Sequence, residues 1–312
     1  MFRTPHHLFS ILVVASMAIL PGGCQTEVAS NGEFEVSWGR RGITDGRLQK
    51  PRAMAIDASN RLYIVDMMAR IQIFNGEGEL LARPWQTPEF ANGKPTGMTV
   101  DHNGNLMVAD THYYRILFYD PDGKLLEEKT IGGKAGQGPG EFGLVTDVVQ
   151  DSEGNYYVSE YGDFDRIQKF SPEGDFVAQW GGHGSEVGQF RRPQNMFIDQ
   201  RDQIWVADAC NHRIQIFNTK GHLIKIWGEQ GPAQGQLSYP YDLVVDEDYV
   251  WICEYGNNRI QKFTHDGKSV GCWGSGGRGE CQLHNPWALA RNSDGQIFVL
   301  DTNNHRVQRI RM

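Results

Sequence analysis

The sequence lacks clusters of basic side chains. Lys and Arg number 30 against 38 Asp and Glu, which gives a formal net charge of −8. A protein that binds phosphate backbones without sequence preference needs clustered positive charge, so we expect no nucleic-acid partner. The glycine-rich stretch from Gly132 to Gly140 contains Pro139 and precedes no helical pattern, which excludes a dinucleotide-binding fingerprint. The sequence also shows no pairing of a nucleophile with a general base.

A long apolar segment is missing as well. The apolar run Leu8–Leu20 has 13 residues, too few to span a bilayer. It follows Arg3 and ends at Pro21, an order that is typical of an export signal. We therefore predict a signal peptide over residues 1–23, a tether over 24–32 and a folded domain over 33–312.

Cys24 follows small residues directly after the apolar run. This order resembles a bacterial lipobox, in which the cysteine is lipidated and becomes the first residue of the mature protein. Leu20 lies four residues before Cys24, whereas that motif places it three before. The alternative is an ordinary cleaved signal with Cys24 incidental. We predict an exported lipoprotein of the bacterial cell envelope, monomeric and attached to the membrane by its lipid anchor only.

What the sequence does contain is a repeat. An acid at the end of one apolar run is followed by an Arg that opens a run of alternating apolar and polar residues. The acids are Asp66, Asp110, Glu160, Asp208, Glu254 and Asp301, at steps of 44, 50, 48, 46 and 47 residues. This period is typical of an architecture built from one supersecondary unit per repeat.

The fourth repeat shows the pattern of one unit. Pro193–Asp199 is an apolar run opened by Pro, Ile204–Asp208 is a second run, Arg213–Phe217 alternates with period two, and Leu223–Trp227 follows a Lys-Gly turn. Each run predicts a short antiparallel strand. Six such four-stranded sheets can bury their faces only by packing around an axis, so we predict an all-β, six-bladed β-propeller.

The two ends of the domain predict how the ring closes. The segment Glu33–Gly39 matches the fourth-strand segments that end in Trp-Gly, whereas the last repeat stops after its third strand at Met312. We therefore predict a three-plus-one closure, in which the N-terminal strand completes the last blade and covers its open edge.

These motifs resemble the NHL repeat, most fully over Pro193–Phe217 and Pro240–Phe263. The resemblance covers all six repeats and implies a six-bladed propeller. It leaves function open, since NHL propellers include binding modules for proteins and RNA, sensor domains and the peptidylamidoglycolate lyases. Those lyases use metal-binding histidines close to the channel. The residue after the strand-opening position is never His in this chain: Arg52, Thr96, Thr146, Gln194, Tyr241 and Trp287.

The repeated acids, arginines and histidines have a structural interpretation. A catalytic device is needed once, whereas a clip between the second and third strands is needed in every blade. The planar fork of Arg can bond a carboxylate and backbone carbonyls together. His112, His212 and His305 lie in the same turns, and we predict a turn role for them because turns on alternate blades are too far apart to share a metal.

Two cysteine predictions follow from the repeat. Cys272 and Cys281 flank a glycine-rich connection and either form a disulfide or remain free thiols. Cys253 aligns with Ala207 inside a strand, so we expect a buried free thiol.

Positions that differ between repeats are not required for the structure that the blades share. Those near the channel lie beside a concavity. The position after the strand opener holds Arg52, Gln194, Tyr241 and Trp287, and the next position holds Asp147, Asn195 and Asp242. We predict that these seven residues form a ligand site at the channel mouth. Tyr161 and Tyr255 follow strand-ending acids on the same face.

Two functions fit this set. The first is a non-enzymatic binding or scaffold module, without a cofactor, for a protein, a peptide or a polar small ligand. The second is a metal-assisted hydrolase, lactonase or lyase in which Asp147, Asn195 and Asp242 hold Ca²⁺ or another divalent cation. A structural alternative exists for these three residues, because short polar side chains often cap backbone N–H groups at strand entries.

Overall fold

The computed structural model describes Met1 and residues 31–92, 94–162 and 164–312. Apart from Met1, the predicted signal peptide lies outside the described residues, as do Cys24 and most of the predicted tether. Within the described part of the chain, no helix is both long and apolar enough to cross a membrane.

The described residues form 26 β-strands, which we number in chain order, and they begin with β1 (Glu33–Trp38). Blade 1 contains β2 (Pro51–Ile56), β3 (Leu62–Asp66), β4 (Arg70–Phe74) and β5 (Trp85–Gln86). Blade 2 contains β6 (Gly97–Val100), β7 (Leu106–Asp110), β8 (Arg115–Tyr119) and β9 (Ile131–Gly132). Blade 3 contains β10 (Leu144–Gln150), β11 (Tyr156–Tyr161), β12 (Arg166–Phe170) and β13 (Phe176–Gly181).

Blade 4 contains β14 (Pro193–Ile198), β15 (Ile204–Asp208), β16 (Arg213–Phe217) and β17 (Leu223–Trp227). Blade 5 contains β18 (Pro240–Val245), β19 (Tyr249–Glu254), β20 (Arg259–Thr264) and β21 (Ser269–Trp273). A short parallel pair follows, β22 (Ser275–Gly276) and β23 (Gln282–Leu283), before β24 (Ala288–Arg291), β25 (Ile297–Asp301) and β26 (Arg306–Arg311) of blade 6. The described 3₁₀ helices are Thr111–Tyr113, Glu127–Lys129, Ala209–Asn211 and Thr302–Asn304.

The ring closes as the sequence predicts. β1 pairs antiparallel with β26, from Glu33 opposite Arg311 to Trp38 opposite Val307, and the sheet order is β1-β26-β25-β24. The N-terminal strand is therefore the outer strand of blade 6, and the predicted six-bladed propeller with three-plus-one closure is confirmed.

The core lies between neighbouring blades. Each hydrophobic cluster combines residues of two adjacent sheets; Trp205 and Ile216 of blade 4, for example, pack with Leu243 and Ile252 of blade 5. Central strands such as β15 are buried along their whole length, whereas the outer strand β13 alternates between partly buried and exposed residues. This explains why the second strand of each repeat reads as a continuous apolar run and the outer strand does not.

The Trp that ends an outer strand packs against the next blade. Trp180 of β13 covers the hairpin turn of blade 4 at Gly221, whose φ is 78° and where an added Cβ would lie 2.7 Å from the indole. Only glycine combines that left-handed backbone with so close an approach. The Trp-Gly pairing thus fixes the spacing of consecutive blades.

The predicted clips are present in all six blades. Arg213 Nε lies 2.7 Å from Asp208 Oδ2, and the same guanidinium donates to backbone carbonyls of the preceding connection at Ser185, Glu186 and Gln189. The equivalent acid–Arg distances in the other blades are 2.6–2.9 Å, and every acid is fully buried. These pairs hold each blade to its incoming connection, which confirms their structural role.

Candidate functional site

A β-bulge splits the predicted site into two layers. The pairing register of the innermost strand shifts between Pro51 and Ala53 in blade 1, and between Pro240 and Asp242 in blade 5. A bulge adds one residue and re-aims the side chains on either side of it. The residues after the strand opener, such as Tyr241, therefore contact other residues of the mouth, whereas Asp242 lines the channel.

Three aromatic rings meet at the mouth. The rings of Tyr241 and Tyr255 stack with centroids 4.4 Å apart and an interplanar angle of 23°. Trp287 meets both edge-on, at 4.9 Å from Tyr241 and 5.9 Å from Tyr255. Burial raises the pKa of Tyr241 to about 12, so its phenol stays protonated and can donate a hydrogen bond.

Two arginines lie against these rings. The guanidinium carbon of Arg52 is 5.4 Å from the Trp287 ring centroid, and that of Arg192 is 4.8 Å from Tyr161 and 5.4 Å from Tyr241. Arg192 Nε donates to the side-chain oxygen of Gln194 at 2.9 Å. Burial lowers the pKa of Arg52, and the nearby charge of Arg192 acts in the same direction. We call Arg52, Arg192, Tyr161, Tyr241, Tyr255 and Trp287 the mouth cluster.

Neither arginine of the mouth cluster forms an ion pair with any carboxylate of the described residues. In contrast, the clip arginine of every blade is paired. Two partly buried guanidiniums, of which Arg192 lies close enough to Arg52 to lower its pKa, create a positive site that no described carboxylate neutralises. This arrangement suits an anion.

Sequence reasoning missed Arg192. It precedes Pro193 with φ 60°, and Lys50, Tyr239 and Asn285 occupy the equivalent left-handed position before the strand-opening Pro of their blades. The signal was available, because this position also varies between repeats. Tyr161 and Tyr255, placed on the same face by the sequence, do join the cluster.

The predicted oxygen-bearing residues lie deeper. Asp147, Asn195 and Asp242 line a channel of about 360 Å³ whose walls come from the innermost strands of all six blades. The walls extend toward the ends of those strands, at Ile56 and Arg291, away from the mouth. Asp147, Asn195 and Asp242 therefore do not share one concavity with Tyr241 and Trp287, contrary to the single site that the sequence suggests.

The two acids bond to neighbouring backbone. Asp147 Oδ2 accepts a hydrogen bond from Met196 N at 2.9 Å, and Asp242 Oδ2 accepts one from Leu289 N at 2.7 Å. Asp242 Oδ1 accepts from Leu243 N, also at 2.7 Å. Each carboxylate thus joins its blade to the next one, as the strand-entry interpretation predicts.

These hydrogen bonds limit how many oxygens of Asp147, Asn195 and Asp242 remain to bind a divalent cation. Three of the four carboxylate oxygens of Asp147 and Asp242 already accept backbone N–H groups, which leaves Asp147 Oδ1 and Asn195 Oδ1. Calcium takes six to eight oxygen ligands. Two remaining side-chain oxygens do not fit such an ion. In the described part of the chain, no group of three or more His, Cys, Asp or Glu is placed to hold a metal.

The same two acids are hard to ionise. Burial raises the pKa of Asp242 to about 7, against the opposing effect of its hydrogen bonds from Leu289, Leu243 and Asn195. Burial also raises the pKa of Asp147 well above its usual range, and the nearby Asp242 adds to this.

The histidine turns are mostly structural. His212 Nδ1 accepts a hydrogen bond from Tyr239 N at 3.1 Å, and His305 Nδ1 accepts one from Lys50 N at 2.9 Å. Both residues have φ near 55–59°. His112 differs: in blade 2 the left-handed position belongs to Tyr114, and His112 is exposed near Arg52 and Lys94.

The four cysteines among the described residues are free thiols. Cys272 is buried in β21, Cys281 is exposed, and the two are not bridged. Cys253 is a buried free thiol, as predicted, and burial raises its pKa.

Comparison with known proteins agrees with this architecture. The sequence profile described as NHL repeat matches residues 190–217 and 283–310. The rat (Rattus norvegicus) protein named peptidylglycine alpha-amidating monooxygenase is 35% identical over 127 residues, which cover 38% of this chain but 13% of the rat protein. So small a share does not carry over the activity of the whole relative.

Solved structures show the same fold at low identity. A streptogramin B lyase structure superposes with a TM-score of 0.63 at 12% identity, covering 90% of this chain and 98% of the other. A protein described as a putative gluconolactonase gives 0.65 at 14% identity, covering 91% and 93%. These likenesses concern the fold alone. The chain is therefore a six-bladed β-propeller that carries NHL repeats.

Proposed function

We propose that the protein is a non-enzymatic binding module whose mouth cluster holds the carboxylate of a peptide or polar ligand. The observation that carries this proposal is the pair Arg52 and Arg192, partly buried against aromatic rings and without a carboxylate partner among the described residues. A charge withdrawn from water is stabilised by an opposite charge that replaces its hydration. The planar fork of Arg matches a carboxylate in particular.

The aromatic rings indicate what lies beside that carboxylate. Tyr241, Tyr255 and Trp287 offer rigid contact area at low entropic cost, and the Tyr241 phenol can donate to a carbonyl. The name of the rat relative refers to a peptidylglycine, a peptide that ends in a carboxylate. These features favour the C-terminal end of a peptide as the first ligand class to test.

An enzyme is the second candidate. Two proteins of similar fold are named as a lyase and a putative lactonase, and a metal-assisted reaction would draw on the channel residues. The oxygen count at Asp147, Asn195 and Asp242 favours binding over that alternative. A test therefore has to measure both binding and turnover.

The probe is N-acetyl-Tyr-Gly with a free carboxylate, compared with its C-terminal amide by titration calorimetry on the full chain. We expect the acid to bind at least about tenfold more tightly than the amide, and Arg52→Gln and Arg192→Gln each to remove that preference. The matched control is Arg278→Gln, an exposed Arg on a blade-to-blade connection, which should leave binding unchanged.

The outcomes separate the two candidates. Equal binding of the acid and the amide would overturn the carboxylate site. So would a loss of binding in Arg278→Gln as large as the loss in Arg52→Gln or Arg192→Gln. Chromatography of the recovered probe tests turnover. If the protein consumes the probe at a rate proportional to protein concentration, it is an enzyme and the binding-module proposal is wrong.

A further inference from the structure

The channel is a second concavity, separate from the mouth cluster. Its volume of about 360 Å³ falls within the range of small-molecule sites. Its walls include Met54, Met98, Met196, Leu243 and Leu289. These side chains belong mainly to the hydrophobic clusters between blades, and the atoms that they expose to the channel are apolar and suit a carbon chain. Thr99, His102, Gln150 and Arg291 add polar groups to the same lining.

The polar end of the channel has acceptors without donors. Asn195 uses its amide to donate to Asp242, while its own Oδ1 has no hydrogen-bond partner. Asp147 Oδ1 also has none of ordinary geometry, although the backbone N–H of Val148 lies close enough to stabilise the ionised carboxylate, and Asn195 and Asp147 are 6% and 1% exposed. Buried acceptors are rarely left unpaired in proteins, because each unpaired one costs free energy. Both residues line the cavity, but the two oxygens themselves are almost fully covered, so a ligand can supply the missing donors only when these side chains turn toward the channel.

The carboxyl groups at this end also lack a cationic partner. Neither Asp147 nor Asp242 forms an ion pair with a Lys, Arg or His of the described residues, although both acids are more than nine-tenths buried. Buried carboxyl groups in proteins are usually paired or kept neutral. A ligand that brings a positive charge together with N–H donors would stabilise the ionised form of these carboxyl groups and supply the missing donors.

We propose that the channel binds an alkylammonium ligand, with its ammonium group at Asp147, Asn195 and Asp242 and its carbon chain along the apolar walls. An ammonium group has three N–H donors, and the three residues come from three consecutive blades. A bare metal ion would need several further oxygens, which methionine and leucine side chains do not provide. The site is independent of the mouth cluster and of any carboxylate bound there.

The probe for this proposal is hexylammonium, titrated calorimetrically into the full chain at neutral pH. We expect it to bind at least tenfold more tightly than hexanol, which lacks the charge, and than hexyltrimethylammonium, which lacks the N–H donors. Asp242→Asn should weaken hexylammonium at least tenfold. Asn195→Asp adds a carboxylate and should strengthen it. Arg278→Gln, on the mouth side, should have no effect.

Two results would overturn the proposal. If hexanol or hexyltrimethylammonium binds as tightly as hexylammonium, the polar end does not recognise an ammonium group; this comparison uses the wild-type chain and needs no variant to fold. The second result is a stoichiometric divalent metal found by elemental analysis. If chelation of that metal changes amine binding and Asn195→Asp does not, the site is a metal site and the proposal is wrong.

Discussion

Glu35 of the first described strand accepts a hydrogen bond from Arg309 of the last, with 2.8 Å between Oε2 and Nε. The two residues are 274 positions apart in the chain. Arg309 also donates to Gly76 O and to Glu77 in the neighbouring hairpin of blade 1. A single side chain thus connects the N-terminal strand, the last blade and the first blade at the point where the ring closes.

Deleting Glu33–Gly39 should open that ring. The deletion removes β1, leaves the backbone of β26 unpaired, and exposes the surface covered by Phe34 and Trp38. An unpaired edge invites association with other chains. We expect aggregation or a large fall in melting temperature, measured by scanning calorimetry and light scattering. A melting curve identical to that of the full chain would contradict the three-plus-one closure.

The clip of blade 5 offers a test of the repeated acid–Arg pair. Arg259 bonds Glu254 and the carbonyls of Pro232, Ala233 and Gln236. Arg259→Lys keeps the charge but cannot reach all these acceptors, so we expect a loss of about 1–3 kcal/mol in the free energy of unfolding. Denaturant titration measures it. The control Arg83→Lys, at an exposed position, should stay within about 0.5 kcal/mol of wild type.

The fold could be predicted because its causes repeat. Each innermost and second strand carries the same apolar pattern, and the Trp-Gly pairing between blades needs both residues at fixed offsets, as at Trp180 and Gly221. Six copies of a weak local signal make a strong one. The same repetition identified the acid–Arg clip as structural, since all six pairs were expected to serve one purpose.

The candidate site could be predicted only in part, because it depends on features that occur once or depend on register. Adjacent positions such as Tyr241 and Asp242 were expected to act together, but the bulge at the start of β18 places them in different layers. Arg192 comes from a connection rather than a strand, and its place over Tyr161 and Tyr241 depends on a left-handed backbone before Pro193. The alternation of apolar and polar residues in the sequence indicates neither the bulge in β18 nor the left-handed backbone at Arg192.

The raised pKa of Asp242 predicts a pH dependence of stability. Its carboxyl has a pKa of about 7 when folded against an ordinary value of 3.8, so between these values the folded chain binds more protons than the unfolded chain. The contribution of Asp242 to stability is therefore fully present below about pH 4 and is lost as pH rises through about 7. We expect wild type to lose roughly 2–3 kcal/mol relative to Asp242→Asn between pH 5 and pH 8.

Asp242→Asn is a suitable comparison because it retains Asp147, whose own pKa is raised by burial. Urea unfolding at the two pH values gives both free energies. Parallel changes in wild type and variant would show that Asp242 is not the group whose burial costs stability.

Cys24 tests the proposed envelope anchor. If this cysteine is lipidated, Cys24→Ser should move the mature protein from the membrane fraction to the soluble fraction, and labelling with a radioactive fatty acid should disappear. Wild type found in the soluble fraction would contradict the lipoprotein proposal and leave export to be tested by itself.

Substitutions in the mouth cluster should weaken ligand binding, whereas substitutions of the channel residues should lower the melting temperature. Tyr241→Ala with Trp287→Ala removes the stacked surface that flanks both arginines, so binding of the acidic peptide probe should fall by at least about tenfold. Asp147→Ala with Asp242→Ala instead removes hydrogen bonds between innermost strands and leaves the arginines in place. That pair should lower the melting temperature and spare peptide binding. Calorimetry of both double variants measures the two quantities together. If the aromatic pair melts far below wild type while it binds the probe normally, its role is structural and the ligand site lies elsewhere.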